Sequence, residues 1–262
     1  MSHLTRSGRR IRARSTLLVA LALVAGGCGD KSSSDGGGKL VVSAAQSLNL
    51  AFGNYGQQFK QADAQFSFAG SDELATQIRG GARPDVFASA NTKLPDELYK
   101  AGKVEKPVVF ATNRLVLAIQ KNGTEVQSLD DLTKKGVTIA IGSKDVPIGS
   151  YTRKVLGHLS SGAQKKIFAN VKTEEPNVGG ISAKLTQGAV DAGFLYFTDV
   201  KATNGRLEAI ELPEQLQPKV AYGVAIVKGA HNKKGAQAFI DGLLKGAGLN
   251  ALRDAGFDPP GG

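Results

Sequence analysis

The chain has 262 residues, a formal net charge of +10 and a single cysteine. One cysteine excludes an intrachain disulfide, so the fold is held by packing. Five of the positive charges (Arg6, Arg9, Arg10, Arg12 and Arg14) lie in a leader without acidic residues, so the rest of the chain keeps about +5, a mildly basic surface and not a nucleic-acid footprint.

Leu17 to Ala25 is an apolar run too short for a membrane span, and it ends at V-A-G-G-C, where Cys28 is the last residue. A basic stretch followed by such a run reads as a signal segment over 1–27. The small residues directly before the cysteine resemble a bacterial lipobox, which implies cleavage before Cys28 and lipid on its sulfur and new amino group. An ordinary signal peptide with an unmodified Cys28 is the alternative. Lys31 to Gly38 is rich in Gly and Ser, so 28–38 reads as a flexible tether.

Lys39 to Ala45 reads as a buried strand, after which Ser47-Leu48 opens a helix with Leu48, Phe52, Tyr55 and Phe59 at helical spacing. Phe66 to Ala69 is a second strand. It turns through Gly70-Ser71 into a short helix, with Ser71 at the N-cap, Asp72 and Glu73 in the first turn, and Leu74 and Ile78 on one face. Gly80-Gly81 stops that helix, and Arg83-Pro84 leads into the apolar run Val86 to Ala90. Pro107 to Ala111, Arg114 to Gln120 and Val137 to Gly142 read as strands, and Ser128 to Leu132 starts a short helix. After Val146-Pro147-Ile148-Gly149 comes a helix carrying Tyr151, Val155 and Leu159. Val171 to Glu174 is a short strand, Asn177 caps a helix with Val178, Ile181 and Leu185 on one face, and Ala192 to Phe197 is a strand. Ala221 to Lys228 is a long apolar strand, and Asn232 to Leu252 is helical with a break at Gly246–Gly248. Strands alternating with helices give an α/β chain with mostly parallel sheets, and about 220 folded residues suit two lobes better than one large sheet.

Four strand-to-helix junctions share one chemistry. Ser47 and Ser71 offer hydroxyls and backbone N–H groups; Ile148 and Val178 offer backbone N–H alone, because their side chains are aliphatic. A helix start attracts anions, since the orphan donors and the positive end of the dipole face the same point. Tyr196, at the end of a strand, adds a phenolic donor. Neutral donors of this kind hold an anion without lysine or arginine, each charged hydrogen bond contributing roughly 1.5–3 kcal/mol.

The ordered set V-S-A-A-Q-S-L, F-A-G-S-D-E-L-A-T-Q-I, R-P-D-V-F-A-S-A, N-R-L-V-L-A-I, A-I-G-S-K-D-V-P-I-G-S-Y, N-V-G-G, V-D-A-G-F-L-Y-F-T-D and V-A-Y-G-V-A-I-V-K-G resembles the molybdate-binding proteins of ABC-type molybdate importers over Lys39 to Phe257. The resemblance implies a two-lobed type II periplasmic-binding-protein fold that closes over one ligand. Lobe one is then expected over 39–112 plus 228–262 and lobe two over 113–227. It implies that molybdate or tungstate is held by the hydroxyls of Ser47, Ser71 and Tyr196 and the amides of Ile148 and Val178. It further implies no catalysis, no cofactor, no cation site and no nucleic acid. The expected protein is a monomer, exported, lipid-anchored to the outer face of the cell membrane, delivering its ligand to an ABC permease.

This chain departs from that pattern at Ile148, where relatives carry a small residue, at Gln46 before Ser47, and at Asp72 and Glu73 beside the anion, which are expected to point outward. A receptor for sulfate or phosphate is the other binding reading. An exported serine-dependent hydrolase is the enzymatic one, and the absence of G-x-S-x-G speaks against it.

Overall fold

A computed structural model describes residues 37–260; the signal segment and Cys28 lie outside the described residues. The first part of the chain gives β1 (Lys39–Ala45), α1 (Asn49–Gln58), β2 (Asp63–Ala69), α2 (Ser71–Arg79), β3 (Val86–Ser89), α3 (Lys93–Lys100) and β4 (Val108–Asn113). The middle gives β5 (Leu115–Gln120), β6 (Ile139–Gly142), α4 (Pro147–Leu156), α5 (Ser161–Ala169), β7 (Val171–Glu175), α6 (Val178–Thr186), β8 (Ala192–Tyr196), α7 (Phe197–Lys201) and β9 (Leu207–Glu211). The last part gives β10 (Val220–Ile226), α8 (Lys233–Lys245) and α9 (Ala247–Ala255).

Two five-stranded sheets result, in the orders β2-β1-β3-β10-β4 and β7-β6-β8-β5-β9. Each is mixed. Parallel pairs join β1 to β2 and β3, and β6 to β7 and β8, while β10 runs antiparallel to β3 and β4, and β5 to β8 and β9. The central strands β1, β3, β6 and β8 are apolar and buried on both faces, as strands covered by helices on two sides must be. The chain crosses between lobes twice, at β4 to β5 and at β9 to β10, and these crossings form the hinge.

The second crossing corrects the expected lobe boundary. Val220–Ile226 pairs with β3 and β4, so β10 belongs to lobe one and not to a segment running to residue 227. The residues V-A-Y-G-V-A-I dictate a buried strand, but nothing in them says which sheet receives it. Gly38, expected in the tether, is already tied in, its carbonyl accepting from Asp63 N–H at 3.2 Å.

The sequence reading omitted α3, α5, α7 and β9. In α3, Pro95 lies in the first turn, where its missing N–H costs nothing. In β9, L-E-A-I-E is an edge strand too short and too charged to stand out.

In lobe one Phe52, Phe59, Phe66 and Phe239 form an edge-to-face and tilted aromatic cluster with Tyr55 between α1, the sheet and α8. Lobe two is packed by aliphatic side chains such as Leu117, Ile141, Val155, Ile181 and Leu185, all fully buried. These cores hold the C-terminal ends of β1, β2, β6 and β7 rigidly, and the helix starts that follow them share one cleft.

Candidate functional site

Ser47, Ser71, Ile148, Val178 and Tyr196 line one cavity between the lobes. Its lining contains no charged residue. Its volume is ≈ 20 Å³. A sphere of that volume has a radius of about 1.7 Å.

The local structure explains why each group is free to donate. Helix α2 begins at Ser71 with Gly70 as its N-cap, so Ser71 is the first helical residue and not the cap expected from the sequence. Its Oγ instead accepts from Ala90 N–H at 3.1 Å. That contact occupies a lone pair and leaves the hydroxyl proton to donate. Because Gly70 has no side chain to cap the helix, the first-turn amides of α2 are not served locally.

At α6 the expected cap holds. Asn177 Oδ1 accepts from Gly179 N–H at 2.9 Å and Gly180 N–H at 3.3 Å. Those are the second and third amides, so the amide of Val178 stays uncommitted.

At α4 Pro147 fills the first position, where its fixed φ suits the helix. Arg153, absent from the sequence-level site, clamps this helix start. Its guanidinium donates to Gly142 O at 2.7 Å, Gly149 O at 3.3 Å and Glu174 Oε1 at 2.8 Å. Ile148 itself lines the cavity. Its Cγ2 sits over Gly142, 2.5 Å from where a Cβ would stand, so only glycine at 142 gives the isoleucine that berth.

Tyr196 is 1 % exposed, and its hydroxyl has no hydrogen-bond partner among the described residues. Burial pushes its pKa well above the phenol range, with Tyr222, Tyr151 and Asp199 adding to the shift, so it remains a donor. An unpaired buried hydroxyl costs about 1–3 kcal/mol, and Tyr196 is one of the residues that line the cavity.

The lobes touch across the cavity. A Cβ on Gly70 of lobe one would lie 2.7 Å from Pro176 O of lobe two, and one on Gly179 would lie 3.2 Å from Gln46 Cγ. The cleft is closed. Gln46 lines the cavity, as do Gly70 and Asn177. Glu73 is exposed and accepts from Gln77, as expected. Asp72 is half-buried with Oδ1 enclosed near Gly70, so it does not point wholly outward; neither carboxylate lines the cavity.

Asp199, which the sequence reading passed over, is buried under the site and accepts from Tyr196 N–H at 3.1 Å. Burial raises its carboxyl from the ordinary 3.8 to about 7, the Tyr196 N–H opposing the shift. A raised carboxyl stabilises the fold fully below the unfolded value and loses that contribution as pH climbs through 7. Asp199→Asn is therefore expected to flatten the fall in melting temperature between pH 4 and 7. At pH 8 it should gain on the order of 1 kcal/mol over the parent, read by calorimetric melting at each pH. Parallel pH profiles for the two proteins would disprove it.

The model of the bacterial extracellular solute-binding protein family matches residues 40–258. The chain belongs to that family. The molybdate-binding protein ModA of Mycobacterium tuberculosis is 35% identical over 261 residues, spanning 94% of this chain and 98% of the relative. Among solved structures, the periplasmic molybdate-binding protein of Azotobacter vinelandii superposes with a TM-score of 0.75 at 23% identity, covering 84% of this chain and 99% of that one. The sulfate-binding protein SubI of Mycobacterium tuberculosis gives 0.73 at 17% identity, covering 85% and 87%. The architecture expected from the sequence, two α/β lobes around a cleft, is the one these solute-binding proteins share. Because a sulfate receptor has it too, the fold does not choose the anion; the cavity must.

Proposed function

We propose that this protein is the extracytoplasmic receptor of an ABC importer and captures molybdate or tungstate, anchored to the membrane by lipid on Cys28. One observation carries the ligand assignment: a closed, uncharged cavity of ≈ 20 Å³ lined by Ser47, Ser71, Ile148, Val178 and Tyr196. The likeness to ModA at 35% identity supports the same reading.

Binding rests on dipoles. The helix starts of α2, α4 and α6 face the cavity, so a dianion there meets three positive helix ends as well as hydroxyl donors. Donors fixed by Asn177, Arg153 and Ala90 need little reorganisation when the anion arrives. A protonated anion such as hydrogenphosphate brings a proton that needs an acceptor, and Ser71 Oγ and Asn177 Oδ1 are already engaged. No residue of the site acts as a nucleophile or base in this reading, and no cofactor takes part.

Titration calorimetry with molybdate, tungstate, sulfate and phosphate tests the assignment. Molybdate and tungstate are expected to bind at least tenfold more tightly than sulfate, whose shorter bonds leave the donors out of reach. Sulfate binding as tightly as molybdate, or phosphate binding best, would overturn the ligand while leaving the receptor class intact. Metabolic labelling with a radioactive fatty acid tests the anchor: label retained by a Cys28→Ser variant would exclude lipid on Cys28.

A further inference from the structure

We propose that Tyr222 is a positioning residue for the oxyanion, orienting the Ser47 hydroxyl through a buried hydrogen-bond relay that spans the hinge. The inference rests on the reading above in that it takes Ser47 as an anion donor.

The relay runs from lobe one to lobe two. Ser47 Oγ lies 2.9 Å from the Tyr222 hydroxyl. Asn113 Nδ2 lies 3.4 Å from that same hydroxyl and 2.9 Å from Thr198 Oγ1. Tyr222 is on β10 and Asn113 closes β4, one on each strand of the hinge, while Thr198 is on α7, two residues past Tyr196. All four are buried: Tyr222 at 0%, Thr198 at 3%, Asn113 at 6% and Ser47 at 8%.

The proton directions follow from what each group can give. Asn113 Oδ1 accepts from Arg114 N–H at 2.9 Å, which fixes the amide so that its NH₂ faces Tyr222 and Thr198. An amide nitrogen only donates, so Tyr222 accepts from Asn113 and has a single proton left for Ser47. The arrangement that leaves no proton idle has Tyr222 donate to Ser47 Oγ, which frees the Ser47 proton to point toward the cavity. Burial holds the Tyr222 hydroxyl well above the ordinary phenol range, with Asp199 contributing, so that proton stays in place. Ser71 reaches the same state by accepting from Ala90 N–H.

A second feature marks the position. The β10–β4 register shifts beside Tyr222, where Phe110 of β4 is left without a partner, so the irregularity lies on the strand that faces Tyr222. Tyr222 also meets Tyr196 edge-to-face, with centroids 5.8 Å apart, so the two phenols stand on the two sides of the closure. The Ser47–Tyr222–Asn113 links lie within lobe one, and Asn113 carries the relay to lobe two at Thr198.

A double-mutant cycle on the full chain in detergent, followed by calorimetry, tests the relay. The parent is first titrated with molybdate, tungstate and sulfate, and the cycle uses the tightest binder. Tyr222→Phe is expected to weaken binding about tenfold, and to have no further effect in a Ser47→Ala background. Asn113→Ala, which leaves the aromatic core untouched, is expected to weaken binding severalfold with the same dependence on Ser47. Equal losses with and without the Ser47 hydroxyl would make Tyr222 a packing residue and overturn the relay. So would unchanged affinity in Tyr222→Phe, or in Asn113→Ala should Tyr222→Phe not fold. A parent that binds none of the three anions would instead overturn the function on which the relay rests.

Discussion

Tyr196→Phe is expected to weaken oxyanion binding by about 1–3 kcal/mol while leaving the ligand-free protein as stable as the parent or more so. Both outcomes come from one atom. The hydroxyl is enclosed without a partner among the described residues, so the fold draws no hydrogen bond from it. With the anion present, that hydroxyl becomes a hydrogen bond to a charge, and its removal forfeits the bond. The ring keeps its edge-to-face contacts with Tyr151 at 6.4 Å and Tyr222 at 5.8 Å in either residue. Calorimetric affinity and ligand-free melting, measured on both proteins, separate the two effects. Lost stability with unchanged affinity would show that Tyr196 is a packed strand tyrosine and no ligand.

Gly70→Ala is expected to weaken binding by a similar 1–3 kcal/mol through closure and not through any lost donor. Gly70 has φ −61° and ψ 137°, a conformation alanine adopts freely, so the backbone carries no strain. The added carbon would lie 2.7 Å from Pro176 O, which is main chain of the other lobe, and 2.9 Å from Asp72 Oδ1. A side-chain carboxylate can swing away, whereas the carbonyl moves only if the lobes part. Small-angle scattering at saturating molybdate should then give a larger radius of gyration for the variant than for the parent, alongside the weaker affinity. Parent-like affinity and size would mean that the cleft closes without this contact.

The fold was largely legible because its signals are local. Alternation of apolar runs with helix starts gave most of the strands and helices, and Asn177 and Pro147 announced their helices within one turn. The donor groups were legible for the same reason: whether an amide at a helix start is orphaned depends on the three or four residues around it. Even there the tertiary structure moved Ser71 from cap to first helical position, since its Oγ finds Ala90 N–H, 19 residues away, a better partner than its own helix.

The sequence by itself determined that several helix starts carry unopposed donors and that a phenol ends a strand. Only the tertiary structure decided that these groups meet in one closed cavity, that β10 returns to the first sheet, and that Ile148 rests on Gly142. It alone supplied Tyr222, Asn113 and Asp199. The reason is range. Periodicity and capping act within one element, whereas Ser47 and Tyr222 are 175 residues apart and Asn113 and Tyr222 are 109 apart. Such pairs come together only when two sheets and a two-stranded hinge fix where each element ends.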